Sequence, residues 1–230
     1  FTEISDRLIE DTNRRNKGEF YTPTLFVDYA HDMISKEFGE DWKEKYVVWD
    51  NSAGSKNLTR DYYFKELYSS TLEQAELDIS KNYNKEAVSF QFDFLNDPLT
   101  KLPKGLIEAF EQDKPIIFFM NPPYARNTGD GILAGTRESV CKTMINEVML
   151  EEGIGACSAN LYAQFIYRCM TIKQYYNLTN CNICLFCKPS YMSSPSYKQF
   201  RSVFLDEFHY ESGILFNASH FDDCSDKWGI

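Results

Sequence analysis

The stretch PIIFFMNPPY, residues 115–124, decides the fold. Its apolar run from Ile116 to Met120 is rich in β-branched and aromatic residues, which is typical of a short, fully buried strand. Two prolines follow Asn121, and because they fix φ and carry no N–H, the strand cannot pair beyond that residue. Ligands of open α/β sheets bind outside the carboxyl ends of the strands. The stretch therefore predicts a binding site directly after this strand.

The polar groups behind the strand suit an amino group attached to a planar ring. The side-chain oxygen of Asn121 and the carbonyl of Pro122 can each accept one hydrogen of an exocyclic amine, and Tyr124 can stack on the ring face. The NPPY tetrapeptide resembles the catalytic motif of S-adenosylmethionine-dependent amino-methyltransferases, above all adenine-N6 DNA methyltransferases. The resemblance implies a catalytic group of four residues, Asn121, Pro122, Pro123 and Tyr124, and a cofactor contact from Asn121 as well. Taken alone, they also fit a strand-terminating Pro-Pro turn capped by Asn.

The composition indicates one large α/β domain. The chain has 230 residues, of which 43% are hydrophobic, enough for a substantial core. Its 34 acidic and 24 basic residues give a net charge of −10, which argues against a self-sufficient nucleic-acid binder. No run of 18 apolar residues is present, so no membrane span is expected.

The cysteines indicate a reduced, cytoplasmic protein, because the seven of them form no disulfide-like framework. Cys181, Cys184 and Cys187 have the spacing C-x2-C-x2-C, which metal sites also use. The surrounding NCNICLFC is typical of a buried strand, on which this spacing alternates between faces. No metal site is predicted.

The segment GEFYTP, residues 18–23, precedes an amphipathic helix. Thr22 is a good N-cap, Pro23 suits the first helical position, and Gly39 would end the helix. Lying N-terminal to a methyltransferase core, the segment resembles the extra cofactor motif of restriction–modification adenine methyltransferases. The resemblance implies contacts to the amino-acid end of S-adenosylmethionine from Phe20, Tyr21 and Thr22. A plain capped helix is the alternative.

A second apolar run, Tyr46 to Trp49, leads into the loop DNSAGSKN, residues 50–57. Small side chains keep the backbone of such a loop open to a ligand. The loop resembles the cofactor loop of the family, which implies cofactor contacts from Asp50, Ser52, Gly54 and Asn57. It departs from the family at Lys56, where a second glycine is usual, because lysine takes a positive φ only at a cost. A short helix from Leu58 to Phe64 is expected next, and an ordinary strand-to-helix loop is the alternative.

The next strand, predicted from Glu66 to Ser69, is followed by a further acid, Glu73. The family places an acid just past this strand to bind the ribose hydroxyls of the cofactor, which implies that role for Glu73. Ser70-x-x-Glu73 equally fits a capping box for a helix through Ile79. Both interpretations stay open.

A third strand, predicted from Ala87 to Phe92, ends in Asp93 and Phe94. The resemblance implies that Asp93 binds the adenine amine of the cofactor and that Phe94 packs on the adenine ring. An Asx-type turn before Pro98 is the alternative. In a parallel sheet four strand ends would line one edge, those at Asp50, Glu73, Asp93 and Asn121.

The predicted fold class is α/β, with a mainly parallel, doubly wound, Rossmann-like methyltransferase sheet, helices on both faces and a truncated last hairpin. Residues 1–40 would carry the extra cofactor motif, and residues 41–230 would form the catalytic core. A C-terminal target-recognition domain is expected outside this chain. Further helices and strands are expected at residues 136–150, 160–176, 181–187, 194–208 and 212–216.

The resemblance implies methyl transfer from S-adenosylmethionine to the N6 amine of adenine in double-stranded DNA, by the catalytic domain of a restriction–modification enzyme. The adenine would be flipped out of the duplex and packed against Phe221, and the missing domain would supply most DNA contacts. A restriction or specificity subunit is a further expected partner. Two alternatives remain: an NPPY methyltransferase acting on a protein glutamine or an RNA guanine amine, and a catalytically silent cofactor-binding subunit.

Overall fold

The sheet is parallel throughout in the computed structural model, which describes residues 22–126, 142–217 and 229–230. Its strands lie in the order β3-β2-β1-β4-β5, and every neighbouring pair is parallel. The predicted α/β, Rossmann-like class is confirmed. The described strands are β1 (Val47–Asp50), β2 (Leu67–Thr71), β3 (Val88–Gln91), β4 (Ile116–Met120) and β5 (Cys181–Leu185).

Helices lie in the connections from β2 to β3, from β3 to β4 and from β4 to β5, whereas turns connect β1 to β2. The described α-helices are α1 (Thr24–Phe38), α2 (Trp42–Lys45), α3 (Gln74–Ser80), α4 (Lys104–Glu111), α5 (Met144–Glu151), α6 (Leu161–Tyr176), α7 (Ser190–Ser193) and α8 (Lys198–Glu207). Short 3-10 turns lie at Leu99–Lys101, Gly155–Ala159 and Pro195–Tyr197. Among the residues described, no helix has the length and apolarity needed to cross a bilayer.

The core lies on the three middle strands. Every residue of β1, β2 and β4 is buried, whereas β3 at one edge is largely exposed. Trp49 stands at the centre, with the rings of Phe94 and Phe118 at 5.3 and 5.7 Å. Helix α6 is buried along most of its length. The apolar run of residues 116–120 is therefore the fully buried strand that the sequence predicted.

Helix α1 packs on the same core, since Val27 and Ile34 belong to the cluster that contains the sheet. The helix ends at Gly39, which has a φ of 91° as expected for a helix-terminating glycine. Its predicted N-cap was wrong by one residue: Pro23 is the cap and Thr22 lies outside the helix. The Thr22 hydroxyl is engaged elsewhere, in the site described below.

Two predicted elements are absent from the described residues. Leu58 to Phe64 forms turns and not a helix. Residues 212–216 form no strand, and a cavity of about 610 Å³ is lined by this segment and by β5. Phe216 instead exchanges two backbone hydrogen bonds of 3.0 Å with Ile230. The predicted helix 136–150 is described only from Met144, where the Thr143 side chain caps it.

Candidate active site

The candidate site lies where the strand order reverses. The chain leaves β1 towards β2 and β3 on one side, whereas β4, the other neighbour of β1, leads to β5 on the opposite side. The connecting segments diverge at this switch point and leave a crevice at the carboxyl ends of the strands. Asp50 ends β1 and Asn121 directly follows β4, so the two residues flank the crevice.

Two hydrogen bonds hold the Asn121 amide. Its Nδ2 donates to Thr22 Oγ1 at 2.8 Å, and its Oδ1 accepts from the Tyr124 hydroxyl at 2.7 Å. Thr22 is only 3% exposed. Because an amide oxygen can accept two hydrogen bonds, Asn121 Oδ1 can accept a further one beside that from Tyr124. The structure thus joins the predicted cofactor motif to the predicted catalytic motif through one side chain.

The ring of Tyr124 is 5% exposed in this arrangement. Tyr162 packs against it in a T-shaped geometry, with ring centroids 6.5 Å apart, and the Lys188 ammonium lies 5.8 Å from its centroid. Pro122 is buried beneath the turn and Pro123 is half-buried. A planar substrate could stack on Tyr124 only after a neighbour on the ring face had moved.

Asp50 is fully buried, and neither of its carboxylate oxygens has a hydrogen-bond partner among the described residues. Burial raises the pKa of Asp50 to about 8, although the Ser52 amide and the Lys56 ammonium favour the charged form. The Ser52 amide acts on the carboxylate without reaching hydrogen-bond geometry. Three more buried polar atoms near Asp50 have no hydrogen-bond partner within the described part of the chain. They are Asn51 Oδ1, Ser52 Oγ and Ser69 Oγ.

Buried oxygens without partners are costly, and they are expected where a ligand completes the hydrogen bonding. The ammonium and ribose hydroxyls of S-adenosylmethionine are donors of the kind that these oxygens lack. The residues at the ends of β1 and β2 therefore fit this cofactor.

The loop after β1 adopts the conformation expected for glycines at two positions. Gly54 has a φ of 48° and Lys56 a φ of 64°, so the lysine keeps the left-handed backbone of the residue that it replaces. The Lys56 side chain is buried, and its ammonium donates to the carbonyls of Tyr83 at 3.0 Å and Ser80 at 3.5 Å. Asn57 accepts from Arg60 Nη1 at 2.8 Å. Lysine at this position therefore has the left-handed backbone that a glycine there would adopt.

Lys56→Met is expected to be more stable than Lys56→Gly by about 1 kcal/mol. Both variants lose the bonds to the two carbonyls, and glycine relieves the positive φ, but only methionine fills the space of the buried lysine stem. Both should keep their affinity for S-adenosylhomocysteine, because the ammonium points at backbone carbonyls. Urea unfolding and titration calorimetry measure the two quantities. A tenfold loss of affinity in both variants would instead show that Lys56 contacts the cofactor.

At the end of β2 the predicted capping box is wrong. Ser70 lies inside the strand, where its hydroxyl accepts from Trp49 Nε1 at 3.0 Å, and α3 begins after Glu73 without a side-chain cap. Glu73 is exposed at the start of the helix.

A second acid at this strand end, Glu76, escaped the sequence analysis. Its buried carboxylate accepts from the Thr71 hydroxyl, and a Cβ on Gly54 would lie 3.6 Å from its Oε1. The first turn of α3 brings it to the loop that follows β1. Glu76 could not be found by its distance from the strand, because the first turn of helix α3 determines where its side chain lies.

Asp93 forms the Asx-type turn that the sequence also allowed. Its carboxylate accepts from the backbone amides of Leu95 and Asn96, both at 3.1 Å, and from Asn96 Nδ2 at 2.8 Å. Phe94 is buried, stacked on Phe165 with centroids 4.9 Å apart. These contacts describe the turn, and the cofactor roles of Asp93 and Phe94 stay predictions.

Asp93→Asn separates the turn from the cofactor role. The amide oxygen of asparagine can still accept from the two backbone amides, so the melting temperature should stay close to that of wild type, whereas Asp93→Ala should lower it. If Asp93 binds the adenine amine, both variants should weaken the binding of S-adenosylhomocysteine. Differential scanning and titration calorimetry test this, and unchanged affinity in Asp93→Ala alongside a lower melting temperature would leave only the turn.

The parallel strands bring the four predicted strand ends to one edge of the sheet, in the order Asp93, Glu73, Asp50 and Asn121. Three predicted site residues, Phe20, Tyr21 and Phe221, lie outside the described residues.

No protein-family model and no curated protein matches the sequence. A cryoEM structure of a DrdV–DNA complex aligns with 88% of this chain at 16% identity and a TM-score of 0.59. The chain spans 23% of that chain. The fold is therefore shared with part of a much longer protein.

A second solved structure, PH1948 from Pyrococcus horikoshii, is named as a candidate RNA methyltransferase. It aligns over 54% of this chain and 60% of its own, with 16% identity and a TM-score of 0.37, which is too low to carry an argument. The all-parallel sheet itself gives the fold class, a Rossmann-like one of the kind that methyltransferases have.

Proposed function

We propose that this chain transfers a methyl group from S-adenosylmethionine to the N6 amine of adenine in DNA, as the catalytic domain of a restriction–modification enzyme. One observation carries the proposal: the amide of Asn121 is held between Thr22 and Tyr124 at the switch point of the sheet. A hydrogen-bonded amide at that position is a prepared acceptor for an amine. The likeness in fold to a protein that was solved in complex with DNA supports a DNA substrate.

The cofactor would lie along the carboxyl edge of β1, β2 and β3. Asp50, whose two oxygens have no hydrogen-bond partner among the described residues, and the backbone at Gly54 would hold it on one side, and Thr22 would hold it beside Asn121. Glu73 and Glu76 both lie near the edge where the ribose hydroxyls would bind. When bound, the cofactor supplies an electrophilic methyl group.

The residues after β4 would bind and orient the amine. Asn121 Oδ1 and the Pro122 carbonyl would each accept one of its hydrogens, which directs the nitrogen lone pair away from both acceptors. Tyr124 would stack on the base once its ring face is clear. No strong general base is required, because the amine becomes acidic only after it has gained the methyl group. The contribution of these residues is orientation and placed acceptors in a largely buried pocket.

The test offers labelled S-adenosylmethionine to the parent protein with duplex DNA, structured RNA and a glutamine-containing protein in parallel reactions. Label in N6-methyladenine of the DNA, located by nuclease digestion and mass spectrometry, is the expected result. Label in guanine of the RNA or in glutamine would replace the proposed substrate by one of the alternatives. Cofactor binding without label in any substrate would indicate a silent subunit.

A further inference from the structure

The turn after β3, residues 93–97, closes on the Asp93 carboxylate. Asp93 Oδ1 accepts from the backbone amides of Leu95 and Asn96, and Asp93 Oδ2 accepts from Asn96 Nδ2 at 2.8 Å. These are the donors that the carboxylate meets within the described part of the chain. Because each carboxylate oxygen has two lone pairs, Oδ1 is saturated and Oδ2 can accept one more hydrogen bond. Asp93 is half-buried, so the turn offers one acceptor to a ligand, at Oδ2.

The side chain of Asn96 forms hydrogen bonds in two directions. Its Nδ2 donates to Asp93 Oδ2, and its Oδ1 accepts from the Met144 amide at 2.8 Å, at the start of α5. A backbone N–H can only donate and a carboxylate can only accept, so these two partners fix the orientation of the Asn96 amide. Turning the amide over would place its oxygen against the carboxylate and its NH2 group against the N–H. Asn96 therefore holds Asp93 Oδ2 in one direction.

Two helices hold the backbone of this turn. From α5, the Ile145 amide donates to the Leu95 carbonyl at 3.3 Å. From α6, the buried Arg168 donates through Nη2 to the Asp97 carbonyl at 2.9 Å. Within the turn, the Asp93 amide donates to Asp97 Oδ2 at 3.0 Å. Because the backbone is fixed in this way, the freedom that remains to the Asp93 acceptor lies in its own side-chain torsions.

An oxygen that is held in one direction selects ligands that carry a donor there. A second acceptor at the same place would face Asp93 Oδ2 with no proton between the two oxygens, which costs the unmade hydrogen bond. Adenine presents a 6-amino group, whereas hypoxanthine presents a keto oxygen at the same position. A carboxylate that has lost its third donor could rotate away from the keto oxygen, so the penalty for the wrong group would shrink.

We propose that Asn96 is a positioning residue: it orients Asp93 Oδ2 towards the 6-amino group of the cofactor and so sets the preference of the site for adenine over a 6-keto purine. The inference rests on the proposed function, in which Asp93 would bind the adenine amine, and deepens it. It assigns a role to a residue that lies outside the NPPY and GEFYTP motifs.

The experiment compares two ligands on the parent protein: S-adenosylhomocysteine, and S-inosylhomocysteine, in which a keto oxygen replaces the 6-amino group. Titration calorimetry gives both dissociation constants. Their ratio is the decisive quantity, because a general disturbance of the site weakens both ligands alike. The variants are Asn96→Ala, Asn96→Asp and the matched control Asn182→Asp on β5, at the opposite edge of the sheet from β3. Thermal unfolding confirms that each variant folds.

Asn96→Asp separates the two hydrogen bonds of the side chain. It keeps an oxygen for the Met144 amide but replaces the donor to Asp93 by a second carboxylate oxygen, whereas Asn96→Ala loses both bonds. Wild type should bind the adenosyl ligand at least about tenfold more tightly than the inosyl ligand, as expected for one hydrogen bond to a charged group. In both Asn96 variants the ratio should fall to about threefold or less. Asn182→Asp should keep the wild-type ratio.

A wild-type ratio in Asn96→Asp would overturn the inference, because it would show that Asn96 serves only to hold the start of α5. Equal affinity of wild type for the two ligands would overturn it as well, since Asp93 would then make no contact with the amine. Both results leave the proposed function standing if label appears in N6-methyladenine of the DNA. Failure of wild type to bind S-adenosylhomocysteine at all would overturn the proposed function, and the inference with it.

Discussion

Asn121→Ala in the parent protein is expected to lower kcat for methyl transfer at least a hundredfold while S-adenosylhomocysteine binding stays nearly intact. The substitution removes the side-chain oxygen that would accept from the target amine, and losing one placed acceptor commonly costs that much in rate. It also leaves the hydroxyls of Thr22 and Tyr124 without their amide partner, so a stability loss of about 1–2 kcal/mol should accompany it. Single-turnover transfer of labelled methyl groups measures the rate.

Two further variants make this result interpretable. Tyr124→Phe removes only the hydroxyl that donates to Asn121 and keeps the ring, so it should cost much less in rate than Asn121→Ala. Asn182→Ala removes an amide on β5 that donates to Asn180 and should leave the rate unchanged. Near-normal turnover of Asn121→Ala would refute the catalytic assignment, whatever its effect on stability.

The second large effect concerns pH and Asp50. Its folded-state pKa of about 8 lies well above the 3.8 of an unperturbed carboxyl, so the folded protein binds more protons than the unfolded chain between these values. Its contribution to stability is therefore present at low pH and falls as the pH rises from about 4 to about 8. The whole loss is on the order of 6 kcal/mol at most, since each unit of pKa difference corresponds to about 1.4 kcal/mol.

Asp50→Asn removes this ionisation, so the decrease in the free energy of unfolding that Asp50 causes as the pH rises should disappear. At pH 8.5 the variant without ligand should be more stable than wild type by several kcal/mol, and at pH 5 the two should be close. If Asp50 accepts from the cofactor as proposed, the affinity of the variant for S-adenosylhomocysteine should drop, because the charge of that acceptor has been removed. Denaturant unfolding from pH 5 to 9 gives the comparison, with the exposed Asp78→Asn as the control. Parallel curves for wild type and Asp50→Asn would show that Asp50 is ionised in the folded protein.

Local patterns predicted the parts of the fold that depend on neighbouring residues. The buried run before Asn121 and the strand ahead of Asp50 were both evident, because a short apolar run that ends at prolines or small polar residues has few other structures open to it. The segment 212–216 has the same apolar character, yet whether such a segment becomes a strand depends on a neighbouring edge. Here the segment lines a cavity beside β5, and its Phe216 pairs through the backbone with Ile230.

The contacts that complete the site could not be predicted from spacing. Thr22 and Asn121 are 99 positions apart, and Lys188 approaches Tyr124 only through the register between β4 and β5. The local sequence predicted Thr22 as the N-cap of α1, and this prediction was wrong because Pro23 is the N-cap. A side chain that fits a local motif can instead form a hydrogen bond with a residue far away in the sequence, if the tertiary fold brings the two together.

The hydrogen bond between Thr22 and Asn121 has a thermodynamic consequence. Asn121 lies between the proposed cofactor site and the proposed site of the target amine. A ligand that moves the Thr22 hydroxyl would therefore also reorient the Asn121 amide, which would accept from the target amine. The two binding equilibria are then linked, and linkage is reciprocal: if the cofactor tightens DNA binding by some factor, DNA tightens cofactor binding by the same factor. Thr22→Val, which keeps the shape and removes the hydroxyl, should bring that factor close to one.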